Sequence, residues 1–238
     1  MARHRVSWRT AKVYLAFHFA SGRGRVMPHP FDLSLYLVTD RRLTAERGLL
    51  ETVEEAVAGG VTLVQLRDPE AKGRALAEEA RALIGLLRPK GIPLIINDRV
   101  DVAAAVGAEG VHLGQDDLDP AAARAILGPD AIIGLSVGSL EELSASNLGP
   151  VDYVGCGPIN ATGTKGDAGG AIGIEGFAFL RSHIALPMVG IGGLKAEDAE
   201  AVMQAGANGI AVVSALCAAP DVTEAARTLK TIIETSRR

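Results

Sequence analysis

The chain has 238 residues, with 24 basic against 28 acidic side chains, a formal net charge of −4, and 48% hydrophobic against 22% charged residues. This composition fits a packed core and excludes a disordered chain. No apolar run reaches the ~18 residues of a spanning helix, and the two cysteines, Cys156 and Cys217, are too few for a disulfide framework or a four-thiolate zinc site, so a reducing cytoplasm is the expected compartment. Residues 1–30 carry Arg3, Arg5, Arg9, Lys12, Arg23 and Arg25 and no acid. They read as a basic, disordered extension ahead of a folded domain at 31–238, whose excess of acids disfavours nucleic-acid binding.

From Leu35 onward, short aliphatic runs alternate with amphipathic stretches. Strands are expected at Leu35–Asp40, Leu63–Asp68, Leu94–Asp98, Gly110–Gly114, Ala131–Val137, Tyr153–Gly157, Met188–Gly193 and Gly209–Ser214. Their near-continuous apolarity marks strands buried on both faces, as in a parallel sheet covered by helices. Between them, Leu49, Leu50, Val53 and Val57 share one helical face before Gly59-Gly60. Leu76, Leu83, Ile84 and Leu87 do the same before Pro89 and Gly91, while Ala121–Leu127 ends at Gly128-Pro129 and Ala199–Met203 at Gly206. Eight strand starts spaced about 25 residues apart give eight βα units, and right-handed closure of these makes a single (β/α)8 TIM barrel. No G-x-G-x-x-G turn follows the first strand, which argues against an open dinucleotide-binding sheet.

In such a barrel, function gathers past the C-terminal strand ends. There the sequence places Gln65, Arg67 and Asp68 after the second strand, and Asn97 and Asp98 after the third. Gln115, Asp116 and Asp117 follow the fourth, Ser136 ends the fifth, and Thr162, Thr164 and Lys165 follow the sixth; Gly192-Gly193 and Val213-Ser214 close the last two. The opposite ends begin mostly with Gly, Pro, Ala or Val and read as packing. Asp98 and Asp117, on separate strand ends, can hold a hard cation such as Mg²⁺ together with substrate phosphates; the alternative is that they cap helices or pair with Arg99 and Arg67. Arg67, Ser136 and Lys165 on the same rim describe a polyanion cradle. Gly192-Gly193, with backbone N–H groups unobstructed, and Val213-Ser214, opening a helix, supply a second anion site. Two anion sites imply two phosphorylated substrates, a transferase arrangement.

Gly134-Leu135-Ser136-Val137-Gly138 matches the G-x-S-x-G nucleophile elbow. The downstream histidine, His183, falls at the opposite end of the barrel, and no oxyanion segment precedes the serine. His112, inside the fourth strand, reads as a hydrogen-bonded core histidine. Nothing marks Cys156 as a thiolate nucleophile. The segment Gly157–Gly170 lacks the P-loop order and reads as a glycine-rich loop over the site.

The segments QLRDP, INDRVDVA, GVHLGQDD, GLSVGS, DYVGCGPINATGTKGD, VGIGGL and VVSAL, in this order, resemble thiamine-phosphate synthase over about Leu35 to Leu216. The resemblance implies a transferase that joins a pyrimidine-methyl diphosphate to a thiazole-ethyl phosphate, giving thiamine monophosphate and pyrophosphate, with Mg²⁺ as cofactor. It implies that diphosphate departs first and that the thiazole nitrogen captures a pyrimidine-stabilised carbocation. By resemblance, Gln65, Arg67 and Asn97, with the neighbouring Leu66, Asp68 and Pro69, contact the pyrimidine diphosphate. Asp98 and Asp117 bind the metal, and Ser136 and Lys165 hold the diphosphate. Thr162, Gly163, Thr164, Gly192, Gly193, Val213 and Ser214 meet the thiazole phosphate. Arg67, Ser136 and Lys165 are then the catalytic side chains. The implied partners are small molecules, without nucleic acid or membrane, and the sequence leaves a homo-oligomer open.

One departure stands out. Where the family usually follows QLRD with lysine, this chain has Pro69; Lys72, three residues on, is expected to replace the charge if the loop curls into a helical turn. Two other readings share the scaffold, a thiazole tautomerase-like isomerase and a catalytically silent ligand-binding homologue. An isomerase needs one phosphate site and an acid/base pair, not a metal–diphosphate cradle.

Overall fold

A computed structural model describes residues 31–162 and 170–237. The basic segment 1–30 lies outside them. The strands are β1 Leu35–Val38, β2 Leu63–Leu66, β3 Leu94–Asn97, β4 Gly110–Leu113, β5 Ile132–Ser136, β6 Tyr153–Cys156, β7 Met188–Ile191 and β8 Gly209–Val212. Each pairs in parallel with the next, and β8 pairs back onto β1, closing the barrel. The (β/α)8 expectation is met.

The helices are α1 Leu49–Ala58, α2 Gly73–Leu87, α3 Val100–Val106, α4 Pro120–Leu127, α5 Leu140–Ala145, α6 Gly173–Arg181, α7 Ala196–Gln204, the single turn α8 Ser214–Cys217, and α9 Val222–Ser236. Their ends follow local chemistry. Asp119 and Ser139 accept backbone N–H groups at the starts of α4 and α5. Gly107 ends α3 at φ 67° in the left-handed region that glycine tolerates. No described helix is long and apolar enough to cross a membrane.

Side chains alternate along each strand. Leu35 and Leu37, Val64 and Leu66, Leu94 and Ile96, and Val111 and Leu113 belong to the core shared with the helices. Tyr36, Gln65, Asn97, His112 and Ser136, on the alternate positions, face the barrel axis and line a cavity. Every strand is one or two residues shorter at its C-terminal end than the apolar runs imply. There the chain leaves the ladder and turns, so that Arg67, Asp98, Gln115 and Ser214 line the barrel mouth.

The N-terminal ends of the strands are not simple packing. The side-chain oxygen of the residue before each even-numbered strand accepts a backbone N–H at the start of the preceding odd strand. The four pairs are Leu35 N–H to Thr62 Oγ1 (3.1 Å), Leu94 to Glu109 Oε2 (3.0 Å), Ile133 to Asp152 Oδ2 (2.8 Å) and Met188 to Asn208 Oδ1 (2.8 Å). Arginines lock three of these corners. Arg88 pairs with Glu109 at 2.7 Å, Arg124 with Asp152 at 2.6 Å, and Arg237 bonds Ser34 Oγ and the Asn208 carbonyl.

Candidate active site

At the C-terminal mouth lies a cavity of about 800 Å³, large enough for two small substrates. Strand alternation points Gln65, at the end of β2, and Arg67, just beyond it, into the cavity and turns Leu66 outward into the sheet–helix core. Arg67 is fixed through its backbone, whose N–H donates to Thr39 Oγ1 at 3.0 Å.

The floor is polar and buried. Gln65 Nε2 donates to Tyr36 Oη at 2.6 Å, and Tyr36 Oη lies 2.8 Å from Tyr153 Oη. Tyr153 Oη meets His112 Nδ1 at 2.9 Å, and His112 Nε2 meets Ser136 Oγ at 3.0 Å. Burial pushes both phenols well above their ordinary range, so both remain protonated. The rings of Tyr36 and Tyr153 meet edge to face at 5.9 Å. Ser136 thus has a histidine partner after all, on the neighbouring strand and upstream in sequence. The residue facing His112 Nδ1 is a phenol and not the carboxylate that holds an imidazolium in a serine hydrolase.

Asp98 and Asp117 both line the cavity. Asp98 has φ +60°, a conformation tolerated by Asp and Asn better than by other side-chain-bearing residues. Its Oδ2 accepts from Asn97 Nδ2 at 2.6 Å. Arg99 turns instead to Asp101, at 2.6 Å. Asp117 Oδ2 accepts the Gly114 N–H at 2.6 Å, folding the β4 loop so that Asp116 and Asp117 stand at the cavity edge. Among the described residues no group of three His, Cys, Asp or Glu side chains converges as a self-sufficient metal cage. Mg²⁺ does not require one, since it binds through one or two carboxylates with waters and substrate phosphates, and Asp98 with Asp117 fits that donor set.

On the far wall, Gly192 (φ 96°) and Gly193 (φ 64°) leave β7 in conformations favouring glycine. A Cβ on Gly192 would lie 2.5 Å from Pro158 Cβ, and one on Gly193 would lie 2.8 Å from the Ala161 carbonyl oxygen. Thr162, Val213 and Ser214 line the same wall.

The family model described as thiamine monophosphate synthase matches residues 35–216. A thiamine-phosphate synthase of Xanthobacter autotrophicus is 64% identical over 211 residues, 89% of this chain and all of that protein. One from Syntrophomonas wolfei is 49% identical, over 85% of this chain and 97% of that protein. The chain belongs to the thiamine monophosphate synthase family. Among solved structures, a thiamine phosphate pyrophosphorylase from Pyrococcus furiosus superposes with a TM-score of 0.77 at 40% identity, covering 86% of this chain and 96% of that one.

Within this family member, the barrel mouth gathers Gln65, Arg67, Pro69, Asn97, Asp98, Asp117, Ser136, Thr162, the glycine pair and Val213-Ser214. Gly163, Thr164 and Lys165 lie outside the described residues. Two residues named with the site stand elsewhere. Leu66 is core, and Asp68 faces away from the cavity, accepting from Arg41 at 2.8 Å and from the N–H groups of Glu70 and Ala71. Lys72 is exposed before α2 and does not line the cavity. Cys156 packs outside the barrel, where burial, helped by Glu142, pushes its thiol up to about 12.

Three contributors were missed in the sequence. Tyr36 and Tyr153 hide as apolar strand residues, and Glu142 lines the cavity from α5 while accepting the Gly138 N–H at 2.6 Å. The signal for the floor was present in the pattern, in polar residues (Gln65, His112) inside otherwise aliphatic strands, with glycines 134 and 155 making room for the imidazole.

Proposed function

We propose that this chain is a thiamine-phosphate synthase of the cytoplasm. It joins 4-amino-2-methyl-5-pyrimidinylmethyl diphosphate to thiazole-ethyl phosphate, releasing pyrophosphate. One observation carries the reading beyond family membership: a guanidinium, two carboxylates from separate strand ends and a glycine-lined wall share one cavity with a buried polar floor.

In this reading the bond between the pyrimidine methylene and the diphosphate oxygen breaks first, its electron pair leaving with diphosphate. The thiazole nitrogen then donates its lone pair to the methylene carbon, forming the new C–N bond. Arg67 and Lys165 hold the departing diphosphate, and such preorganised charge is worth most where negative charge develops. Asp98 and Asp117 would hold Mg²⁺, which when bound neutralises diphosphate charge. Gln65 and Asn97 orient the pyrimidine half, joined by Ser136, which the resemblance gave to the diphosphate and whose bond to the floor histidine favours the ring instead. Thr162, Thr164, Gly192-Gly193 and Val213-Ser214 receive the thiazole phosphate. No side-chain nucleophile is required.

The test is to incubate the purified protein with both substrates, with Mg²⁺ and with chelator. Thiamine monophosphate and pyrophosphate should form in equal amounts, and only with metal. No product rejects the synthase reading, undiminished product in chelator rejects the metal assignment, and conversion of the thiazole alone would make the protein an isomerase.

A further inference from the structure

Five polar side chains on five strands stand in series on the cavity floor: Gln65, Tyr36, Tyr153, His112 and Ser136, linked at 2.6, 2.8, 2.9 and 3.0 Å. Hydrogen-bond chemistry gives the series a direction. The amide nitrogen of Gln65 can only donate, so Tyr36 Oη accepts there and its one proton goes to Tyr153. Tyr153 Oη, having accepted, gives its own proton to His112 Nδ1. A neutral imidazole that accepts at Nδ1 carries its proton on Nε2, which therefore donates to Ser136 Oγ. The hydroxyl proton of Ser136 is left for the occupant of the cavity.

We infer that Tyr36, Tyr153 and His112 are positioning residues: the two phenols hold His112 in its Nε2–H tautomer, and His112 thereby fixes Ser136 as a hydrogen-bond donor to the ligand. The backbone is shaped to this contact. A Cβ on Gly134 would lie 2.4 Å from both His112 Nδ1 and Tyr153 Oη, and one on Gly155 would lie 3.0 Å from His112 Cε1. Alanine at either position would crowd the imidazole or the phenol.

The direction has two chemical consequences. His112 cannot serve Ser136 as a general base, because the nitrogen facing the hydroxyl already bears a proton. At the other end, Gln65 turns its amide nitrogen to Tyr36 and keeps Oε1 as an acceptor. The floor therefore offers the Ser136 hydroxyl as a donor and Gln65 Oε1 as an acceptor, a pair matched to a heteroaromatic ring bearing a ring-nitrogen lone pair and an exocyclic amino group. Only the identity of that ring, an aminopyrimidine, rests on the proposed synthase function; the tautomer does not.

The decisive measurement is ¹⁵N NMR of the full chain labelled at histidine, without substrate, with the His112 signals identified by their loss in His112→Gln. The expected spectrum has a proton on Nε2 and a bare Nδ1. A proton on Nδ1 would mean that the Gln65 amide is turned over and the series runs backwards, which overturns the proposal. Kinetics give a second reading. Tyr36→Phe and Tyr153→Phe keep the rings and should raise KM for the pyrimidine diphosphate roughly five- to tenfold, the worth of a lost neutral hydrogen bond. KM for the thiazole phosphate should stay within about twofold. The side-chain amide of His112→Gln donates toward Ser136 without needing a tautomer set by Tyr153. In that background Tyr153→Phe should therefore add little, whereas equal losses in both backgrounds would make Tyr153 a packing residue and overturn its positioning role. A correct tautomer in a protein that makes no thiamine phosphate would sink the functional reading and leave the hydrogen-bond series standing.

Discussion

The two ends of this barrel use polar side chains in opposite ways. At the N-terminal end they close on one another. Thr62, Glu109, Asp152 and Asn208 each satisfy a strand-start N–H. Arg124 joins Asp152 to the carbonyls of Gly128, Pro129, Ala131 and Pro150. At the C-terminal end carboxylates, amides and hydroxyls line a cavity. Asp117 has the Gly114 N–H, Asp98 the Asn97 amide, and Ser136 the His112 ring. Groups of the same chemical kinds stabilise the fold at one pole and line a cavity at the other. The difference lies in what each group faces, neighbouring protein atoms at the N-terminal end and the cavity at the mouth.

Damage at the two poles should therefore separate cleanly. The largest effect is expected from Arg124→Ala. Arg124 and Asp152 side chains are 15% and 7% exposed, and removing one partner of a buried ion pair typically costs about 3–5 kcal/mol. Urea unfolding should show that loss while the folded fraction keeps the parent kcat. A stable variant, or a folded one with impaired turnover, would break the contrast from the N-terminal side. Next in size is Asp117→Asn at the mouth, which retains an acceptor for the Gly114 N–H while removing the charge. Its kcat/KM should fall by about 100-fold with urea stability within about 0.5 kcal/mol of the parent. Parent-like activity at limiting Mg²⁺ would remove Asp117 from the metal site.

How much of this was legible in the sequence differs between the poles. Eight strands and their order could be read because parallel strands buried on both faces produce uninterrupted apolar runs. Most of the mouth could be read because Arg67, Asp98, Asp117 and Ser136 interrupt those runs at their C-terminal ends. The inward or outward sense of a residue was harder. In LYLV all four residues are buried, and hydropathy does not distinguish Tyr36, which faces the axis, from Leu35 and Leu37, which face the helices. Leu66 was placed with the substrate for the same reason. The N-terminal corners escaped because each is made between residues 15 to 27 positions apart. The regularity is visible only once strands are numbered, with a polar residue standing immediately before β2, β4, β6 and β8.

A smaller effect is expected from the two thiols, which belong to neither pole. Burial pushes Cys156 up to about 12 and Cys217 up to about 11, above the ordinary ~8.5 of an exposed thiol. In alkali the unfolded chain therefore releases thiol protons that the folded chain retains. Their contribution to stability is complete below about pH 8.5 and declines as pH rises toward the native values. Between about pH 8.5 and 10, the parent should lose stability more steeply than a Cys156→Ala/Cys217→Ala variant. Parallel slopes would show that the thiols stay protonated in both states.

The smallest change is expected at Lys72, and it sharpens the account of the mouth. If Lys72 replaced the charge absent at Pro69, its ammonium would have to reach the cavity. It stands instead at the residue before α2, with extended backbone (φ −72°, ψ 149°) and an exposed side chain, while Pro69 occupies the cavity edge. Lys72→Ala should leave KM for the pyrimidine diphosphate within about twofold. Pro69→Lys places a cation where the cavity is lined and should lower that KM by up to about fivefold, the ~1 kcal/mol worth of a solvent-screened charge pair. The gain should shrink as salt is raised. The reverse pattern, with Lys72→Ala harmful and Pro69→Lys silent, would mean that the segment after β2 folds over the bound diphosphate. The mouth of the barrel would then be completed by a residue that points away from it in the free protein.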